Sequence, residues 1–167
     1  SQAFGTENFR RTYVRVDSGT LSAPVRFFVS ASDMASDKWR GPGDQNRTNL
    51  EFGVRADINE RLSVELNGVH HKVRWNDYRA LSYAQVQDPA AYRSVEFSEQ
   101  LTGKPAADYL YHGFNRQDFT DNALLGKVSY ATGADSLWVF KPYYWKETGY
   151  SLSGSANAQG APGVTWW

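Results

Sequence analysis

Along residues 49–57 every second residue is apolar. Leu50, Phe52, Val54 and Ala56 fall on one face, and Asn49, Glu51, Gly53, Arg55 and Asp57 fall on the other. Successive side chains of an extended strand point to opposite sides, so period 2 specifies a strand with one apolar and one polar face. The pattern recurs. Leu62, Val64, Leu66 and Gly68 alternate with Ser63, Glu65 and Asn67, and Val25, Phe27, Val29 and Ala31 alternate with Arg26, Phe28, Ser30 and Ser32. Thr12, Val14 and Val16 alternate with Tyr13, Arg15 and Asp17, and Leu124, Gly126, Val128 and Tyr130 with Leu125, Lys127 and Ser129. A sixth segment, 136–145, is apolar on both faces and carries Pro142, which leaves its faces unassigned. A chain built this way is all-β and antiparallel, with about six strands.

A soluble sandwich also alternates, so the connections and the polar face decide between architectures. Full charges stand in mid-strand at Arg15, Arg26, Glu51, Arg55, Glu65 and Lys127. The connections 18–24, 58–61 and 132–135 are short and rich in turn-forming residues. Segment 33–46, a span of about forty residues up to Arg116, and a Gly/Ser-rich tail read as long loops. Short and long connections therefore alternate, which gathers the turns at one end of the sheet and the loops at the other. That is the asymmetry of outer-membrane barrels, with short periplasmic turns and long extracellular loops. Runs 47–57 and 62–72 reach the roughly 9–11 residues that a tilted strand needs to span a bilayer. Phe9, Trp75, Tyr78, Phe119, Tyr144 and Trp145 gather near the expected loop ends, where an interfacial girdle is placed.

Composition removes several function classes. Aromatics reach 15%, carried by ten Tyr, nine Phe and six Trp, residues suited to boundaries between apolar and wet surroundings. Eighteen basic residues balance eighteen acidic ones, so no field recruits nucleic acid. No Cys is present, which removes disulfides, thiolate metal sites and thiol nucleophiles. The longest apolar run, 137–140, is far below the roughly 18 residues of a spanning helix. No nucleophile elbow, phosphate loop or dinucleotide fingerprint appears, so the expectation is no enzyme, no catalytic residue and no cofactor. His70 and His71 are adjacent on a strand and point apart, so with His112 they do not make one metal site. Glu51 and Glu65 on neighbouring strands, with Arg55 and Arg15 opposing them, read as charged lining rather than an acid–base pair. For ligand contact the candidates are the Trp39–Arg40 pair and the loop aromatics Tyr78, Tyr83, Tyr92, Tyr109, Tyr111 and His112, because aromatic and Arg side chains concentrate binding energy.

Three stretches carry a family resemblance: Phe9-Arg-Arg-Thr-Tyr-Val-Arg-Val-Asp-Ser-Gly19, Val29-Ser-Ala-Ser32 and Asp37-Lys-Trp-Arg-Gly-Pro-Gly43. Strand, short turn, strand and this loop resemble barrel segments of TonB-dependent outer-membrane receptors. The aromatic strand Leu137-Trp-Val-Phe-Lys-Pro-Tyr-Tyr-Trp145 is similar to strands of the same barrels. The likeness covers most of residues 1–147. It implies a multi-pass β-barrel in the bacterial outer membrane that imports an iron chelate such as a ferric siderophore, with TonB engaged through an N-terminal region. A passive porin-like channel and a soluble β-sandwich binding module are the alternatives. No counterpart of the family's plug domain or TonB-binding box is found, and six strands fall short of the 22 expected. Ser1 is not an initiator Met and no leader follows it. The expectation is an excerpt, residues 1–167 being part of a receptor barrel domain.

Overall fold

The structure, a computed structural model, describes residues 1–19, 24–133 and 135–155. These form one open antiparallel sheet of β1 (Gln2–Phe4), β2 (Arg10–Asp17), β3 (Val25–Asp37), β4 (Asp44–Asp57), β5 (Leu62–Asn76), β6 (Arg116–Ala131), β7 (Leu137–Phe140) and β8 (Tyr143–Leu152). Strands β1 to β6 pair in chain order, and both β7 and β8 pair with β6. No helix among the described residues is long and apolar enough to cross a membrane. The all-β antiparallel expectation therefore holds.

The expected sixth strand is β7 and β8 together. Val128 faces Phe140 and Leu125 faces Tyr143, so the register runs unbroken through Lys141 and Pro142. Pro142 lacks the N–H of the ladder but its carbonyl still accepts from Gly126 N–H at 2.8 Å. That single missing donor divides one continuous strand, and the register now assigns the faces left open by sequence.

Directly paired residues share a face, so the register sorts every side chain. One row reads Val16, Val29, Phe52, Gly68, Leu124 and Tyr144 across six strands. Each strand from β3 onward contributes four consecutive apolar positions to this outward face: Val25 to Ala31 on β3, Ala56 to Leu50 on β4, Leu62 to Gly68 on β5, and Tyr130 to Leu124 on β6. The last strand supplies Trp138, Phe140, Pro142 and Tyr144. With two residues rising about 6.8 Å, four rows extend about 20 Å along the strand. The band is displaced by one row between β4 and β5, since Leu50 pairs with His70 and not with an apolar residue. A level band across tilted strands has this oblique course.

Among the described residues nothing covers the band. No hydrophobic residue is buried among the described ones, while Trp138 is 72% and Phe140 67% exposed, and Val14, Val29, Leu50, Phe52 and Leu124 are also exposed. The opposite, inner face carries an ion network. Arg55 bridges Asp57 and Glu65, both at 2.9 Å, Arg26 reaches Asp57 at 3.1 Å, and Lys127 reaches Glu65 at 3.1 Å. Glu65 thus faces Arg55, as expected, but not Glu51, which pairs with Val69, and Arg15 bonds Asp17 instead. Each sits on the polar face assigned by alternation.

Two expectations are corrected by the strand lengths and the register. Segment 33–46 is not a long loop: β3 runs on to Asp37 and β4 starts at Asp44, leaving residues 38–43 as the connection. Residues 5–9, between β1 and β2, also make a short connection at this end, so long and short do not strictly alternate. Past the apolar band the residues are mostly polar and Met34 and Ala35 fall on opposite faces, so apolar alternation fades while the backbone ladder continues. The aromatic girdle is the second correction. Trp75 and Phe119 lie on the inner face with rings 6.0 Å apart, and Trp145 is also inward, donating through Nε1 to Asp121 at 3.2 Å. Tyr144 faces outward but level with Leu124, inside the band. Phe9 belongs to the β1–β2 turn, and Tyr78 to the long loop. The short turn 58–61 and the long connection, residues 77–115, stand as expected.

Candidate functional site at the loop end of the sheet

The long connection does not trail away from the sheet. It folds over residues 38–43 and is fixed there by a buried charge cluster. Lys38, Arg40 and Glu96 have side chains only 1%, 4% and 3% exposed, with Glu96 Oε1 3.5 Å from Lys38 Nζ and Oε2 3.1 Å from Arg40 Nε. Burial of charge is costly unless it is paired and hydrogen-bonded, and within this cluster Arg40 Nη1 alone lacks a partner among the described residues. Lys38 Nζ also donates to the Asp77 carbonyl at 2.7 Å, and Arg40 Nη2 to the Arg79 carbonyl at 2.5 Å. Glu96 Oε1 accepts from Arg79 N–H at 2.7 Å and Phe97 N–H at 2.9 Å. Burial pushes the Lys38 ammonium below its ordinary value, with Glu96 opposing that shift. Gly41 has φ +69°, and a Cβ there would stand 1.8 Å from Glu96 Cγ, so only glycine lets the loop close on this carboxylate.

A second set of bonds fixes the loop's far half. Asp108 is buried and accepts from both the backbone N–H and Oγ1 of Thr102 at 2.7 Å. Those donors hold its carboxyl below the usual carboxylate range. Asn115, 4% exposed, donates to the carbonyls of Tyr109 and Tyr111 at 3.0 and 2.9 Å, and its Oδ1 accepts from Gly154 N–H at 3.1 Å. Asn76 closes the base: its Nδ2 donates to the His112 carbonyl at 2.9 Å and its Oδ1 accepts from Asp44 N–H at 3.1 Å.

The sequence candidates fall into two groups. Trp39, Arg40 and Tyr78 come together: the Trp39 and Tyr78 rings are 6.0 Å apart, Trp39 N–H donates to Tyr78 Oη at 3.2 Å, and Arg40 stacks 5.6 Å from both rings. Tyr111 and His112 meet edge-on at 4.8 Å beside Tyr109 on the Asn115 clamp. Tyr83, at the start of the helical turn Tyr83–Val86, is exposed, as is Tyr92, and neither joins a group. Arg40 is committed to Glu96, whereas Trp39 and Tyr78 keep part of their rings at the surface. Between the groups lies a polar cleft of about 600 Å³ lined by Lys38, Arg74, Asn76, Tyr111, His112 and Arg116.

Sequence reasoning did not find Glu96, Asp108 or Asn115. Their partners are brought in by the loop's path, and only the Asp37-Lys-Trp-Arg-Gly motif drew attention to Lys38. The arrangement presents surface aromatics on a loop held by buried charge above a polar sheet end. No family model matches the chain, and no curated protein and no solved structure matches it.

Proposed function

We propose that this chain is a section of the wall of a transmembrane β-barrel in a bacterial outer membrane, belonging to a TonB-dependent receptor for an iron chelate. The observation that carries the reading is the apolar band: four rows deep on one face of every strand from β3 onward, uncovered, with an ion network on the other face. A soluble sheet buries its apolar face against a second layer. Lipid gives that face a partner, and the ladder satisfies the backbone polar groups, as a spanning structure requires. On strands tilted by about 35–45° the band's ~20 Å stands about 15 Å tall, which fits inside the ~25 Å apolar belt of outer-membrane barrels. Seven strand positions are too few to close, so further strands continue both edges.

The receptor step rests on the family resemblance and the shape of the loop end. Connection 38–43 and loop 77–115, latched together through Glu96, present Trp39, Tyr78, Tyr83 and Tyr92 as capture surface, while the charged inner face lines the lumen. Energy relayed by TonB acts through parts of the protein outside this wall. Growth of the source bacterium on defined iron chelates, with and without the gene, tests the receptor reading. Loss of growth on one chelate is expected, and equal growth on every chelate contradicts it. A passive channel would instead conduct ions steadily in planar bilayers without any chelate.

A further inference from the structure

On the outward wall, a groove of about 320 Å³ runs over Leu50, Phe52, Gly68, Leu124 and Tyr144 and ends at His70 and Asn122. Gly68 has no side chain and is covered by a neighbouring ring that forms part of the groove floor. The Phe52 ring lies across Gly68, and a Cβ would come 2.1 Å from Phe52 Cε1. At the upper end His70 Nδ1 donates to Asn122 Oδ1 at 2.8 Å, so the two polar groups satisfy one another at the edge of the apolar band.

Cations stand immediately beyond that edge. Lys146 is in the His70–Asn122 row, directly beside Asn122, and Lys72 is one row higher, beside Thr48 and Thr120. Both are exposed and neither has an acidic side chain within ion-pair distance among the described residues. The nearby carboxylates differ: Asp33 accepts from Thr48 Oγ1 at 3.0 Å, and Asp44 is paired with Arg74 at 3.2 Å. Asp118 stands beside Arg74 one row above Lys72. The row touching the groove therefore carries Lys146, the next carries Lys72 with Asp33 two strands away, and the row above that sets Arg74 beside Asp118. Strand spacing and rise put the Lys72 and Lys146 backbones about 12 Å apart, within reach of one phosphate from both long side chains.

We propose that this wall binds an anionic membrane lipid, with its phosphate between Lys72 and Lys146 and an acyl chain along the groove over Gly68. The proposal rests on the membrane-wall reading. It adds a specific lipid site, at the junction of an apolar groove with two unpaired cations, on the face turned away from the lumen. A basic residue near an anionic headgroup contributes roughly a fivefold gain in binding.

The test uses the full-length protein in mixed vesicles of phosphatidylglycerol and phosphatidylcholine, with retained lipid counted by native mass spectrometry after detergent extraction. The wild type retains phosphatidylglycerol preferentially. The double variant Lys72→Gln/Lys146→Gln loses that preference by about 30-fold, and Lys72→Arg/Lys146→Arg keeps it. Equal retention of both lipids by the wild type, or an undiminished preference in the Gln variant, overturns the lipid site and leaves the wall reading standing. Failure to insert into vesicles of either composition overturns both.

Discussion

Glu96 holds the loop end together from a position that no local pattern marks. It neutralises Lys38 and Arg40, which are 58 and 56 residues upstream, and accepts two backbone N–H groups. Glu96→Gln removes the charge and leaves two buried cations facing a neutral amide. Breaking a buried ion pair from one side costs about 3–5 kcal/mol, so loop 77–115 is expected to lose amide protection while the sheet retains its own, as read by hydrogen exchange. Asp108 gives a pH dependence with a definite sign. Its folded-state pKa lies below the unfolded one, so its contribution is complete above about pH 4 and is lost as pH falls through the folded value. The protection factors of the Thr102 and Lys104 amides, exchange relative to the intrinsic rate at each pH, are expected to fall on acidification, and Asp108→Asn is expected to lower them already at neutral pH. Unchanged protection factors in either experiment contradict the clamp.

At the scale of the element, alternation located the strands because one face is apolar and the other is not, as in 49–57. It failed where that contrast ends. From Asp33 to Asp37 the two apolar residues, Met34 and Ala35, fall on opposite faces, and from Asp44 to Thr48 both faces are polar, so neither stretch alternates and only the pairing distinguishes strand from loop. Trp75, Phe119 and Trp145 were misplaced for a related reason: proximity to a strand end does not say which face a residue takes, and register does. The sixth strand shows the converse, because Pro142 interrupts the donor pattern without shifting Leu137 to Leu152 out of register. Face assignment has an asymmetric consequence. Phe52→Arg puts a charge in the outward band and is expected to cost about 2–4 kcal/mol of folding into bilayers. Asn67→Arg, at the same level as Phe52 but on the inner face, is expected to cost under about 1 kcal/mol. Denaturant titration in phospholipid vesicles compares the two, and equal costs would contradict the assignment of faces.

At the scale of the whole molecule, the described residues form a sheet with one apolar face that none of them covers, one charged face, and strands that continue past the apolar band to a loop held by buried charge, which is what the proposed wall requires. The sequence made the fold class legible through alternation, and the loop latch illegible because its partners are distant in the chain. The absence of Cys permits single spin labels to be introduced along β5 of the full-length protein without removing native thiols. The central claim is that the even-numbered face of β5 meets lipid. Oxygen accessibility in bilayers is expected to peak at residues 62, 64, 66 and 68, to fall at 63, 65 and 67, and to give way to aqueous-reagent accessibility from residue 72 onward. Equal accessibility on both faces, or uniform protection of the even-numbered positions from oxygen, would contradict it.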